Sequence, residues 1–156
     1  PVISSAASDV YKRQVSAFCF NLINVSIQAF GIFYFTQYDE NWVLNPVFII
    51  GTLIFFVGMY INVKSDYLIN DMKKIKGPGY HIPNEFLYKY ISAPNYFGEI
   101  IEWIGWAILT FRISGVVFLL WVIANLFPRA IGHHQWYKNK FEDYPKERKA
   151  IIPGII

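Results

Sequence analysis

The chain has one cysteine, Cys19, among its 156 residues. No disulfide can close within it and no cysteine-based metal site can be assembled; set in an apolar run, Cys19 reads as a small buried apolar residue. Charge is scarce as well. Asp, Glu, Lys and Arg make up 16% of the residues, against about 25% in soluble domains. The phosphate-binding signatures of soluble nucleotide enzymes are missing: there is no G-x-G-x-x-G and no Walker loop, and Gly77-Pro78-Gly79 is only a turn signal. There is no G-x-S-x-G either, so no serine nucleophile is indicated. The net charge of +3 comes from basic residues that flank apolar stretches, which favours a membrane surface over nucleic acid.

What the chain has in abundance is apolar surface. Hydrophobic residues reach 54% and aromatics 19%, and the charges crowd into two segments. This is the pattern of an all-α, polytopic membrane bundle. A spanning helix needs roughly 20 predominantly apolar residues, and four stretches qualify as candidates: Val15 to about Tyr38, Pro46 to about Val63, about Tyr96 to Phe111, and Ile113 to about Phe127, the last continuing into a polar helical tail. Gly51 and Gly58 permit a close helix contact in the second. Residues 1–14 are small and polar and are read as an unrelated leader, leaving 15–156 as the membrane domain. Five lysines lie in the loop from Lys64 to Lys89, and Arg129, Lys138, Lys140, Lys146, Arg148 and Lys149 follow the fourth span, whereas the short turns have only Arg112. The long loop and the C-terminus are therefore expected on the cytoplasmic side.

Three polar constellations gather at those ends. Asn62, Asp66, Asn70 and Lys73 are spaced four, four and three residues apart, one stripe of a helix. They make either a solvated helix end or a polar wall in which Asp66 accepts from a hydroxyl and Lys73 meets a phosphate. Asn95, Glu99 and Glu102 put carboxylates into an apolar span, where charge is costly and usually functional. Ser92-Ala93-Pro94-Asn95 reads as that helix's start, with a capping polar group and an N-terminus that favours anions. Arg129, His133 and Tyr137, spaced four and four, share a face suited to phosphate and to an aromatic base, with His134, Trp136 and Lys140 beside it; membrane-surface anchoring is the plainer use of the same stripe. Adjacent His133 and His134 point to different faces and lack a third ligand at good spacing, so no metal is expected. The residues alone thus indicate polar groups converging on a cytoplasmic pocket for an anionic cofactor.

Three longer motifs carry a family resemblance: G-M-Y-I-N-V-K-S-D-Y-L-I from Gly58, Y-I-S-A-P-N-Y-F-G-E-I-I-E-W-I-G from Tyr90, and N-L-F-P-R-A-I-G-H-H-Q-W-Y-K-N-K-F-E-D-Y-P-K-E-R-K-A-I-I-P from Asn125. In this order they resemble the C-terminal domain of the steroid 5-alpha-reductases, the 3-oxo-5-alpha-steroid 4-dehydrogenases. The resemblance implies four spans of a seven-span membrane fold, in the endoplasmic reticulum or a bacterial inner membrane. It implies an enzyme that binds NADPH from the cytoplasm and transfers hydride to the beta carbon of a conjugated enone in a hydrophobic steroid or related lipid. By resemblance, Asn62, Asp66, Tyr80, Asn95, Glu99, Arg129, His133 and Tyr137 are cofactor-contacting positions, Asn95 and Glu99 near the nicotinamide. Lys73 stands where the family often has Arg, and Asn84-Glu85 where it often has a paired glycine. The family's catalytic acid pair lies in earlier spans, so the chain is expected to be a truncated copy that holds the cofactor wall and is inactive alone. Two other readings are an S-adenosylmethionine-dependent membrane methyltransferase and a membrane transporter or scaffold with Glu99 and Glu102 as a proton relay.

Overall fold

A computed structural model describes residues 2–77 and 79–156; for residues 2–10, 13 and 17 it describes the backbone alone. The described residues form no strand but four α-helices, α1 (Val2–Phe35), α2 (Pro46–Lys76), α3 (Pro94–Thr110) and α4 (Ile113–Lys140), and two short 3-10 turns, Trp42–Leu44 and Phe86–Lys89. Two units are distinguished, one ending at Asp39 and one running from Glu40 to Ile156.

The first unit is α1. Its stretch Gln14–Phe35 is long and apolar enough to cross a membrane. Cys19, expected to be buried, is exposed, as are Phe18, Leu22, Ile23, Val25 and Phe33, because a single helix has no core to turn them into. The leader expected at residues 1–14 falls mostly on residues whose side chains are not described; its backbone is helical from Val2.

In the second unit α2 and α4 are also long and apolar enough to span. At 1.5 Å per residue the 31 residues of α2 extend about 46 Å, well beyond a hydrocarbon core of about 30 Å, which is why its polar C-terminal stripe can stay helical outside the apolar layer. Its start is fixed by Asn45, whose side chain accepts from Val47 N at 2.9 Å, and by Pro46 at the first helical position. The third predicted span, α3, has 17 residues and extends about 25 Å; it falls outside the three spanning helices and carries the two carboxylates. Its start lies at Pro94, but Ala93 holds the N-cap position and no side chain caps it. Phe111, left-handed at φ 47, ends α3 and turns the chain into α4. Pro128 sits inside α4; it removes one amide from the ladder, yet the helix continues to Lys140 and keeps Arg129, His133 and Tyr137 on one face.

Glycine sets the distance between α2 and the antiparallel α3. A Cβ on Gly58 would meet Glu102 N, and one on Gly51 would meet Leu109 N; from the other side, one on Gly98 would meet Asn62 N and one on Gly105 would meet Phe55 N. Four backbone-to-backbone approaches, seven residues apart on each helix, leave no room for side chains. Trp42 Nε1 closes the far end by donating to Leu109 O at 3.3 Å.

Beyond Lys140 the chain is no longer helical and returns along the start of α3. Ser92 N donates to Lys149 O at 2.8 Å, Ala93 N to Ala150 O at 3.1 Å, and Lys149 N to Tyr90 O at 2.9 Å. Ile151, Ala93 and Ala130 are buried there against Tyr96, Phe97, Ile100 and Phe127.

Candidate functional site

The polar end of α2, the loop from Gly79 to His81, the start of α3 and the extension of α4 enclose a cavity of about 490 Å³. Lys73 comes from the stripe on α2, Asn95 from the first turn of α3, and His133 and Tyr137 from α4; Tyr80 comes from the loop. Five residues read from the sequence therefore meet around one space. Their convergence follows from helix geometry: positions 129, 133 and 137 share a face, and the glycine-set approach of α2 to α3 brings the two polar ends level.

Asp66 joins the site through Asn95, whose side-chain amide donates to Asp66 Oδ1 at 3.1 Å. Asn62, Glu99 and Arg129 are not in the cavity wall. Asn62 lies within reach of the Glu102 carboxylate across the α2–α3 contact, and Glu99 lies within electrostatic reach of Glu102, Asp66 and Arg129. These residues lie next to the cavity on α2, α3 and α4 and extend its polar character along the helices.

The wall also holds Ile69, Met72, His81 and Tyr88, which the sequence reading did not assign to the site, and Ser92, read there only as a helix cap. Trp136 completes it, its ring 4.6 Å from that of Tyr80. Tyr137 donates to His81 O at 3.4 Å, which ties the loop to α4. His133 and His134 do point apart: the His133 ring lies 5.7 Å from that of Tyr96, while His134 Nδ1 lies 2.6 Å from Ser92 Oγ. Tyr88 is 1% exposed and donates to Ser65 O at 3.3 Å. Burial, with the Asp66 carboxylate adding to it, holds its hydroxyl well above the ordinary tyrosine range, so Tyr88 remains a donor. Behind the wall, Arg148 is 2% exposed and lies 5.0 Å over the Tyr144 ring.

The site can present a cation from Lys73, amide donor and acceptor from Asn95, an imidazole from His133, and aromatic faces from Tyr80, Trp136 and Tyr137. That set suits a ligand with phosphate and a flat base, and the volume lies within the roughly 300–1,000 Å³ of small-molecule sites.

The family model of 3-oxo-5-alpha-steroid 4-dehydrogenase matches residues 10–156. The chain belongs to this family. Among its curated relatives are 3-oxo-5-alpha-steroid 4-dehydrogenase 1 of Rattus norvegicus, 44% identical over 142 residues, and the steroid 5-alpha-reductase of Arabidopsis thaliana, 47% identical over 142 residues. The matches cover 91% and 89% of this chain and 55% and 54% of the relatives. The chain thus spans about half the length of the curated relatives it matches. In this 3-oxo-5-alpha-steroid 4-dehydrogenase family chain, every described residue around the cavity falls inside the matched region.

Proposed function

We propose that this chain supplies the NADPH site of a membrane reductase that saturates the conjugated C=C bond of a 3-oxo-delta4-steroid or a related lipid enone. The observation that carries the reading is the gathering of Lys73, Tyr80, Asn95, His133 and Tyr137 around one cavity in a chain of the 3-oxo-5-alpha-steroid 4-dehydrogenase family. Family membership favours a reductase over a methyltransferase or a transporter.

When bound, NADPH supplies the hydride that is added to the beta carbon. The chain's own residues bind and orient. Lys73 is the cation for a phosphate, with Arg129 and His133 on α4 as further donors. Tyr80, Trp136 and Tyr137 offer flat apolar faces for the adenine. Asn95, held by Asp66, offers both hydrogen-bond polarities to a ribose hydroxyl or a carboxamide, and Glu99 lies one helical turn further along, toward the nicotinamide. The apolar helices keep the protein in the bilayer, from which a hydrophobic substrate would arrive. The lysine-rich loop and the segment after α4 would face the cytoplasm, where the nucleotide is found.

Titration of the detergent-purified protein with NADPH, read by nucleotide fluorescence, tests this, with S-adenosylmethionine as competitor. Saturable binding indifferent to S-adenosylmethionine is expected, weakened about tenfold in Glu99→Gln and in Arg129→Ala, the scale of one charge-assisted hydrogen bond. Displacement of NADPH by S-adenosylmethionine would sink the reductase reading.

A further inference from the structure

Ser92 stands just outside α3, where a capping hydroxyl is expected, and caps nothing. Its Oγ lies 2.6 Å from His134 Nδ1, 2.6 Å from the Tyr144 hydroxyl and 3.0 Å from Lys149 O. A serine hydroxyl has one hydrogen and two lone pairs. The carbonyl can only accept, so Ser92 donates to Lys149 O, and Tyr144 O–H and His134 Nδ1–H donate to Ser92. This arrangement satisfies all four groups. It also leaves Ser92 with no capacity for a ligand, although the residue lines the cavity.

The partners come from the extension of α4 and from the segment that follows it. Tyr144, 6% exposed, carries the connection onward. Its ring stacks on that of Tyr137, with centroids 5.5 Å apart and planes at 22°. Tyr137 is a cavity residue. A path of direct contacts therefore runs from Ser92 through Tyr144 to the cavity face of α4.

We infer that Ser92 is a positioning residue. Through Tyr144 it fixes the ring of Tyr137, and so makes the segment from Phe141 to Ile151 part of the dinucleotide site. The ligand in this inference rests on the NADPH reading; the linkage does not.

Two measurements test it. The first is amide hydrogen exchange of the nucleotide-free protein in detergent. Ser92→Ala is expected to raise exchange about tenfold over residues 137–151, the scale of one lost hydrogen bond. Tyr144→Phe, which keeps the stacked ring and the fold, is expected to do the same. Unchanged exchange in Tyr144→Phe overturns the linkage. The second is NADPH titration in two backgrounds. Ser92→Ala is expected to weaken binding about tenfold in the otherwise unaltered protein and by less than about twofold when Tyr137→Leu is already present. An equal loss in both backgrounds means general destabilisation and overturns the positioning role. If the unaltered protein binds no NADPH while the exchange effect is present, the proposed NADPH site of this chain falls and the linkage stands.

Discussion

The side-chain amide of Asn95 reaches across the α2–α3 contact to Asp66 Oδ1 at 3.1 Å, so a residue in the cavity wall is held by one outside it. Asn95→Asp keeps the size and replaces the donor with a second carboxylate beside Asp66. It also puts a negative charge in the space proposed for phosphate. NADPH binding is expected to weaken about a hundredfold at low salt, and the loss should shrink as ionic strength shortens the Debye length from about 30 Å to about 8 Å. Titrations at two salt concentrations check this; a loss indifferent to salt would mean that shape, not charge, is at fault.

The glycine seam makes a prediction about stability alone. A methyl on Gly58 or Gly98 would meet the facing backbone, at Glu102 N and Asn62 N, which cannot swing aside as a side chain can. Gly58→Ala and Gly98→Ala are each expected to cost about 1–3 kcal/mol as the helices are pushed apart. Gly132, inside α4, has nothing within 4 Å of its Cβ position. There alanine should be neutral or stabilise by up to about 1 kcal/mol. Thermal unfolding in one detergent compares the three.

Half of that seam was legible beforehand. Gly51 and Gly58 stand out in an apolar span, but Gly98 and Gly105 repeat the same seven-residue spacing on α3, and pairing the two sets required knowing that the helices run antiparallel. The polar stripes were readable for the same reason that helices are: Asn62, Asp66 and Lys73, and Arg129, His133 and Tyr137, recur at helical intervals. Ser92, Tyr144 and Arg148 have no such period. Ser92 meets His134, Tyr144 and Lys149 across 42, 52 and 57 residues of sequence, and only the return of the chain after α4 creates those contacts. The bounds of α3 were readable too: the apolar run from about Tyr96 to Phe111 matches the helix Pro94–Thr110 to within two residues, and the break falls at Phe111, in a left-handed conformation that residues other than glycine seldom adopt.

Tyr88 gives the protein an alkaline limit. Burial first, and then the Asp66 carboxylate, raise its folded value above the ordinary 10.0. Above pH 10 the unfolded chain loses this proton while the folded chain keeps it. The stabilisation is therefore fully present below pH 10 and falls as pH rises through the folded value, at about 1.4 kcal/mol per pH unit for one proton. Denaturant unfolding at a series of pH values from 8 to 11 is expected to show this decline, and Tyr88→Phe to flatten it. An identical alkaline slope in the variant would assign the decline to other groups.

Lys73 offers a gain rather than a loss. It is exposed at the rim of the cavity, in the last turn of α2, where a cation is also favoured by the helix dipole. An ammonium contacts phosphate as a point charge, whereas a guanidinium can donate two parallel hydrogen bonds from a planar fork. Lys73→Arg keeps the charge, the helix and the exposure, and changes only that geometry. It is expected to tighten NADPH binding about three- to tenfold, and Lys73→Ala to weaken it about tenfold. NADH, which lacks the extra phosphate, separates the two phosphate positions. If Lys73 meets the 2′-phosphate, Lys73→Arg should leave NADH affinity unchanged; if it meets the pyrophosphate, both nucleotides should gain. No gain with either nucleotide would remove Lys73 from the phosphate contact and leave that role to Arg129 and His133.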